Sequence, residues 1–293
     1  MRRALLALVA AAALVVAVGC KPILRPPGDA PLRYRDAVFT DVTKTADVPF
    51  ATATVRGTGN PVTLKLDRYE PTGDSATSRP AIVWVHGGSF KYGDKTSAEL
   101  VDQANEFAKK GYVNVSIDYR LSPQGCAAAA PSYECVNAIV DAKHDAQAAV
   151  RYLKANAAAL KIDPNRIAVN GTSAGAITSL NVGYDATEVG SGGSNPGYDS
   201  SVRSAVALSG ARLMGAPDAG DAPALLFHGT GDVVVPYAWA TRTVDTARDA
   251  GLEAYLTAWD GDGHVPYGKH RAEILEQTTN FLYWTLDLEH APV

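Results

Sequence analysis

Cysteine is scarce in this 293-residue chain, which has three, and none stands in a CxxC or CxxH spacing. That excludes a structural zinc site of the usual ligand spacing and a disulfide-dense miniature scaffold. Lys/Arg-rich runs are also missing, and the formal net charge is −4. Without a basic stripe, nucleic acid is not an expected partner. No internal repeat is visible, so a solenoid is not expected. Biased composition is confined to the Ala-rich N-terminus, Ala127 to Ala130, and the Gly/Ser stretch from Gly190 to Gly197. The last of these reads as a surface loop.

The N-terminus is set apart from the rest. Arg2 and Arg3 precede a continuous apolar run from Ala4 to Val18. That run is too short to span a bilayer comfortably and reads as the core of a signal peptide covering residues 1–19. Ala17-Val18-Gly19-Cys20 resembles a bacterial lipoprotein processing site, which implies a lipid-bearing Cys20 and a membrane anchor. The alternative is an ordinary signal cut near Gly19 or Cys20. Several acyl chains on one cysteine anchor stably, whereas one chain binds only marginally. Pro22, Pro26, Pro27 and Pro31 would make residues 20–36 a stiff tether. The expected product is an exported cell-envelope lipoprotein, or a secreted protein, with residues 37–293 as one domain. Export leaves Cys126 and Cys135, nine positions apart, as a disulfide candidate in an oxidising compartment.

The remaining chain is long enough for one large α/β domain. Residues 62–69 alternate apolar and polar, and with the β-branched segment 47–55 they predict antiparallel strands at a sheet edge. Residues 81–85 form a short apolar run of the buried-strand kind. A helix is predicted over 97–110, then a strand over 113–117, and a long helix over 138–160 with Ile139, Ala142, Ala146, Ala149, Val150 and Leu153 on one stripe. Asp163-Pro164 breaks it before a strand at Ile167. Strands at 204–208, 224–227 and 253–259 and helices at 238–250 and 269–286 complete the pattern. Such alternation predicts a mostly parallel central sheet with helices on both faces. Ligands of such sheets bind beyond the carboxyl ends of the strands.

The chemically suggestive residues fall at those ends. Gly171-Thr172-Ser173-Ala174-Gly175 sits between a strand and a helix, where a sharp turn lifts a serine hydroxyl on strained backbone. A serine at its free pKa needs a neighbouring base. His264, in the Asp260-Gly261-Asp262-Gly263-His264 loop before the last helix, is free to swing over the sheet. Asp232 follows a strand and two glycines and is the first choice to orient that histidine. Asp260 and Asp262 are the alternatives. His86-Gly87-Gly88 follows the 81–85 strand and can expose amides to developing negative charge, with the Ala174 amide. His228 reads as structural, and His144, His270 and His290 as surface residues. Phe90, Tyr92, Tyr119 and Tyr267 read equally as pocket lining or as packing.

Ser173, Asp232 and His264 occur in the Ser…Asp…His order of the α/β-hydrolase fold. With His86-Gly87-Gly88-Ser89-Phe90, Ser116-Ile117-Asp118-Tyr119-Arg120-Leu121 and Asp163-Pro164-Asn165-Arg166-Ile167, the chain resembles bacterial carboxylesterases of the hormone-sensitive-lipase and type-B esterase kind over residues 80–264. The resemblance implies a serine ester hydrolase with no metal or organic cofactor, catalytic Ser173, Asp232 and His264, and oxyanion donors at Gly88, Ser89 and Ala174, with Gly87 supporting. Ser89 replaces the third glycine of the usual loop. The segment Gly229 to Pro236 looks more like the acid loop of dienelactone-hydrolase and peptidase relatives.

The expected substrate is a small-molecule or polymer-linked ester, with a short acyl chain or an aromatic group. A lipase or polyester depolymerase would need an exposed apolar cleft, and an exported peptidase would lack room for the propeller or cap domains of its relatives. No long insertion between the motifs provides a large lid, although the Cys126–Cys135 loop could form a small one. A silent, membrane-tethered binding protein would be signalled by loss of Ser, His or Asp, and all three are present.

Overall fold

The computed structural model describes residues 23–126, 132–185 and 194–291. The predicted signal peptide, Cys20, the Ala127–Ala130 run and residues 190–193 of the Gly/Ser stretch lie outside the described residues.

One eight-stranded sheet organises the domain, in the order β1-β2-β4-β3-β5-β6-β7-β8. β1 (Val42–Thr54) and β2 (Pro61–Pro71) form an antiparallel hairpin at one edge, and β2 pairs antiparallel with β4 (Val113–Ile117). β3 (Arg79–Val85), β5 (Ile162–Thr172), β6 (Ser204–Leu208), β7 (Ala224–Gly229) and β8 (Ala254–Trp259) complete a parallel array with β4. The central strands are apolar and buried on both faces, as a parallel sheet covered by helices requires.

The core is split by the sheet. On one face α2 (Tyr133–Ala155), α4 (Ala174–Gly183) and α5 (Tyr237–Asp249) pack on Val83, Val115, Val169 and Leu226. On the other, α1 (Ala98–Lys109) and α6 (Tyr267–Thr285) pack on Ile82, Trp84, Val206 and Phe227. Phe107 of α1 is fully buried between Trp84 and Tyr112. Truncating an aromatic so placed costs roughly 3–5 kcal/mol.

The structure departs from the sequence expectations in a few places. α2 starts at Tyr133, earlier than the predicted 138, because Ser132 Oγ accepts the Cys135 amide and caps it. It ends at Ala155, and Ala157–Leu160 forms a separate turn, α3. β5 begins at Ile162 opposite Arg79 and resumes register only at Ile167 opposite Ala81, so Pro164 lies in an irregularity where no ladder amide is needed. Residues 23–36, expected within the tether, pack against the domain. Tyr34 is buried, its amide donates to Lys110 O, and Trp284 Nε1 donates to Leu24 O. His144, expected at the surface, is buried on α2. Cys126 and Cys135 are joined in a disulfide that ties the segment after β4 to the first turn of α2.

Candidate active site

Ser173 sits at the turn from β5 into α4 with φ 55° and ψ −116°, a left-handed conformation unusual for a residue with a Cβ. The strain is imposed by close packing. A Cβ on Gly171 would land on the carbonyl of Gly175, and one on Gly175 would land on the carbonyl of Val85. Only glycine lets β5, α4 and β3 meet there. The Ser173 amide donates to Leu208 O at 2.8 Å, fixing the turn to β6.

His264, in the loop between β8 and α6, places Nε2 2.7 Å from Ser173 Oγ. Its Nδ1 lies 2.7 Å from Asp232 Oδ2. A carboxylate oxygen bonded to a ring nitrogen accepts, so Nδ1 carries the proton and Nε2 is left to accept from the serine hydroxyl. Asp232 is wholly buried at its side chain, while His264 is 22% exposed. The other carboxylate oxygen, Oδ1, accepts the amides of Val234 and Val235 at 2.8 and 3.0 Å, which fixes the carboxyl plane. The alternatives are engaged elsewhere: Asp262 pairs with Lys269 and His270, and Asp260 accepts from Thr230.

His228 stands behind Asp232. Its Nε2 lies 2.8 Å from the Val235 carbonyl and 3.2 Å from Asp232 Oδ2, so Nε2 carries the proton. Its Nδ1 is buried, and among the described residues no partner takes it. Burial pushes the imidazole below its usual pKa against the opposing pull of the Val235 carbonyl and Asp232, which keeps it a neutral donor to the buried carboxylate.

The His86–Phe90 loop lies against the serine: a Cβ on Gly87 would stand 3.2 Å from that of Ser173. Gly88 O accepts the amides of Lys91 and Tyr92, both at 2.9 Å, and Gly87 O takes His86 Nδ1 at 2.7 Å. In a planar trans peptide the N–H points opposite to its C=O. The amides of Gly88 and Ser89 therefore point away from those contacts, and no acceptor among the described residues takes either. The Ala174 amide is the first of α4, one of the donors a helix start leaves open. Gly88 at φ 114° and Ser89 at φ 54° both adopt left-handed backbone, so Ser89 meets the conformational demand of the third glycine despite its Cβ.

Phe90 and Tyr119, two of the four aromatics read equally as pocket lining or packing, are buried packing. Tyr119 stacks on His86 at 4.2 Å and donates to His86 O at 3.1 Å, so it pins the loop from behind. Burial lowers the pKa of His86 and raises that of Tyr119, so both remain neutral there. Tyr267 is tied to Asp102. Tyr92 alone of the four is largely exposed. His270, read as a surface residue, stacks on Trp259 at 4.0 Å. Arg120 anchors the segment behind the loop: its amide and Nε donate to buried Asp145. Sequence reasoning passed over Ser209, which directly follows β6 with φ 55° and accepts the Val265 amide. The signal for it was a lone Ser-Gly after a strand. Among the described residues no group of His, Cys, Asp and Glu could hold a metal ion.

Two family models match the chain, BD-FAE over residues 66–210 and TAP-like protein over residues 208–284. The chain is 37% identical to phenmedipham hydrolase of Pseudarthrobacter oxydans over 115 residues, 39% of this chain and 21% of that protein. It is 36% identical to carboxylesterase NlhH of Mycobacterium tuberculosis over 111 residues, 38% of this chain and 31% of that protein. The chain thus spans between a fifth and a third of the length of these curated relatives. Isoprenylcysteine alpha-carbonyl methylesterase ICME of Arabidopsis thaliana is 26% identical over 69% of this chain and 53% of its own length. Among solved structures, Thermogutta terrifontis esterase 2 phosphorylated by paraoxon superposes with a TM-score of 0.67 at 24% identity, covering 82% of this chain and 94% of that one. Sheet order and superposition establish the α/β-hydrolase fold.

Proposed function

We propose that this α/β-hydrolase chain is a serine carboxylic ester hydrolase. The carrying observation is the continuous hydrogen-bond chain Asp232–His264–Ser173, set beside the uncommitted amides of Gly88 and Ser89 and the first amide of α4. Serine alone is a weak nucleophile, and this arrangement supplies its base, the orienter of that base and an oxyanion site. The similarity to proteins named carboxylesterase and methylesterase points the same way.

In the proposed reaction Ser173 Oγ attacks the ester carbonyl carbon while its proton passes to His264 Nε2. The carbonyl oxygen becomes an oxyanion, held by the amides of Gly88, Ser89 and Ala174. Collapse of this intermediate breaks the bond to the alkoxy oxygen, which leaves with the proton from Nε2. A water then gives a proton to Nε2 and attacks the acyl carbon. Ser173 Oγ departs with that proton, releasing the acid. Asp232 holds the imidazole tautomer and stabilises the imidazolium formed in both halves. Phe90 and Tyr119 pack behind the oxyanion loop, and the substrate we propose is a short-chain or aromatic ester.

A second reading, a lipase or polyester depolymerase, draws on Tyr92, Leu121, Val233 and Val234, apolar side chains exposed on loops at the carboxyl edge of the sheet. p-Nitrophenyl esters of increasing acyl length, hydrolysed by the protein and by its Ser173→Ala variant, decide between them. Activity confined to acetate and butyrate and lost in the variant supports the first reading. A rise toward long chains supports the second, and no activity at any length with a folded domain opposes both. The lipid anchor at Cys20 and export remain part of the proposal, supported by the Cys126–Cys135 disulfide. Incorporation of labelled palmitate in the expressing cell, absent in Cys20→Ala, is the result it requires.

A further inference from the structure

We infer that Ser209 is a positioning residue for His264, its hydroxyl holding the peptide that carries the imidazole; the inference rests on the serine-hydrolase reading above. Ser209 follows β6 and is wholly buried. Its amide donates to Phe227 O at 2.8 Å, which ties it to the end of β7. Its Oγ accepts the amide of Val265 at 2.9 Å. One buried hydroxyl therefore connects the rigid sheet to the residue directly after His264.

The loop is tied on both sides of the imidazole, by Gly261 N–H to Thr230 Oγ1 and Gly231 N–H to Asp262 O before it and by Lys269 and His270 N–H to Pro266 O after it. Among the described residues, however, the Ser209 bond is the one made by the backbone from Gly263 to Val265. Pro266 has no amide to give. Among the described residues no acceptor takes the amides of Gly263 or His264. Val265 is β-branched yet holds φ 51°, a conformation that such a residue leaves unless its surroundings impose it. The peptide between His264 and Val265 is planar, so a bond at the Val265 N–H also fixes the carbonyl and the Cα of His264, the atom from which its side chain departs. Release of that peptide would leave the imidazole bonded to Asp232 but free to drift from Ser173 Oγ. The bonds of Ser209 run to Phe227 O and the Val265 amide, so in this account it acts through His264 alone.

The test uses Ser209→Gly, Ser209→Ala and His264→Ala, with the double variant of Ser209→Gly and His264→Ala. Glycine adopts the left-handed backbone of position 209 without strain, so Ser209→Gly removes the hydroxyl and little else. Two quantities are read: kcat and KM on p-nitrophenyl acetate, and the rate at which a fluorophosphonate labels Ser173. Misplacing a reacting group by about 1 Å costs on the order of 10²-fold, so kcat and labelling should fall together by about 10- to 100-fold. KM should stay within roughly two-fold, because ground-state binding is untouched. In the His264→Ala background the Ser209→Gly change should add no further loss.

Wild-type kcat and labelling in Ser209→Gly would overturn the inference. So would a loss that persists in full without His264, which marks a general structural effect. A wild-type protein that neither cleaves the ester nor takes the label sinks the hydrolase reading itself, and this inference with it.

Discussion

Asp232 Oδ2 lies 2.7 Å from His264 Nδ1, although Asp262 is the nearer of the two carboxylates in sequence. Asp262 is held by Lys269 and His270 at the start of α6. Asp232→Asn should therefore lower kcat by about 10⁴-fold, because an amide no longer enforces the tautomer with Nε2 unprotonated. Asp262→Asn weakens the pairs with Lys269 and His270 at the start of α6, away from the imidazole of His264, and should stay within about five-fold of the wild-type rate. Steady-state rates on one p-nitrophenyl ester compare the two. The reverse ranking would assign the orienting role to Asp262.

The donors of the oxyanion loop are backbone amides, which separates the effects of two neighbouring substitutions. Ser89→Gly keeps the N–H and suits the φ of 54°, so it should leave kcat within about three-fold. Gly88→Ala places a Cβ on the carbonyl of Tyr92 at φ 114°. The loop must move, and loss of a well-placed donor costs about 10²–10³-fold in kcat. Equal rates in the two variants would show that these amides do not hold the oxyanion.

Acid should destabilise the fold through two buried imidazoles. Desolvation holds His86 and His228 below their ordinary pKa in the folded state. Below about pH 6.5 the unfolded chain binds protons that the folded chain refuses, so stability falls with falling pH. Each group contributes up to about 1.4 kcal/mol per pH unit until its folded pKa is reached. Urea midpoints at pH 7.5, 6.5 and 5.5 read this slope, and His228→Asn should flatten it. An unchanged slope in that variant would remove His228 as a source.

The Cys126–Cys135 bridge closes a short loop of nine positions. Loop-closure entropy predicts that replacing both cysteines by serine costs roughly 2–3 kcal/mol. The urea midpoint of the double variant, with the slope m compared to wild type, measures it. A midpoint unchanged from wild type would mean that the bridge adds nothing to stability.

The alternating pattern of apolar strands and amphipathic helices was legible because each buried strand must be apolar throughout and each helix needs one apolar stripe. Edges were read less well: the packing of residues 23–36 on the domain depends on partners distant in sequence, whereas the Ser132 cap that extends α2 is a local bond to the Cys135 amide that the apolar stripe beginning at 138 does not reveal. Ser173 was visible because Gly171 and Gly175 flank it at a short fixed spacing, Gly171 demanded by the turn itself and Gly175 by the nearby end of β3. Ser209 was not, because its importance lies in a bond to Val265, 56 residues away. His144 was misplaced for the same reason: burial of α2 is a tertiary fact, as is the stack of the partly exposed His270 on Trp259.

The most direct test of Ser173 as nucleophile is peptide mass spectrometry after brief exposure of the folded protein to a fluorophosphonate, with Ser173→Ala beside it. The expected result is a single phosphonyl adduct on the peptide that contains Ser173, absent from the variant, with loss of ester hydrolysis in proportion to labelling. Full hydrolysis in the variant, or an adduct that forms equally well without Ser173, would contradict it.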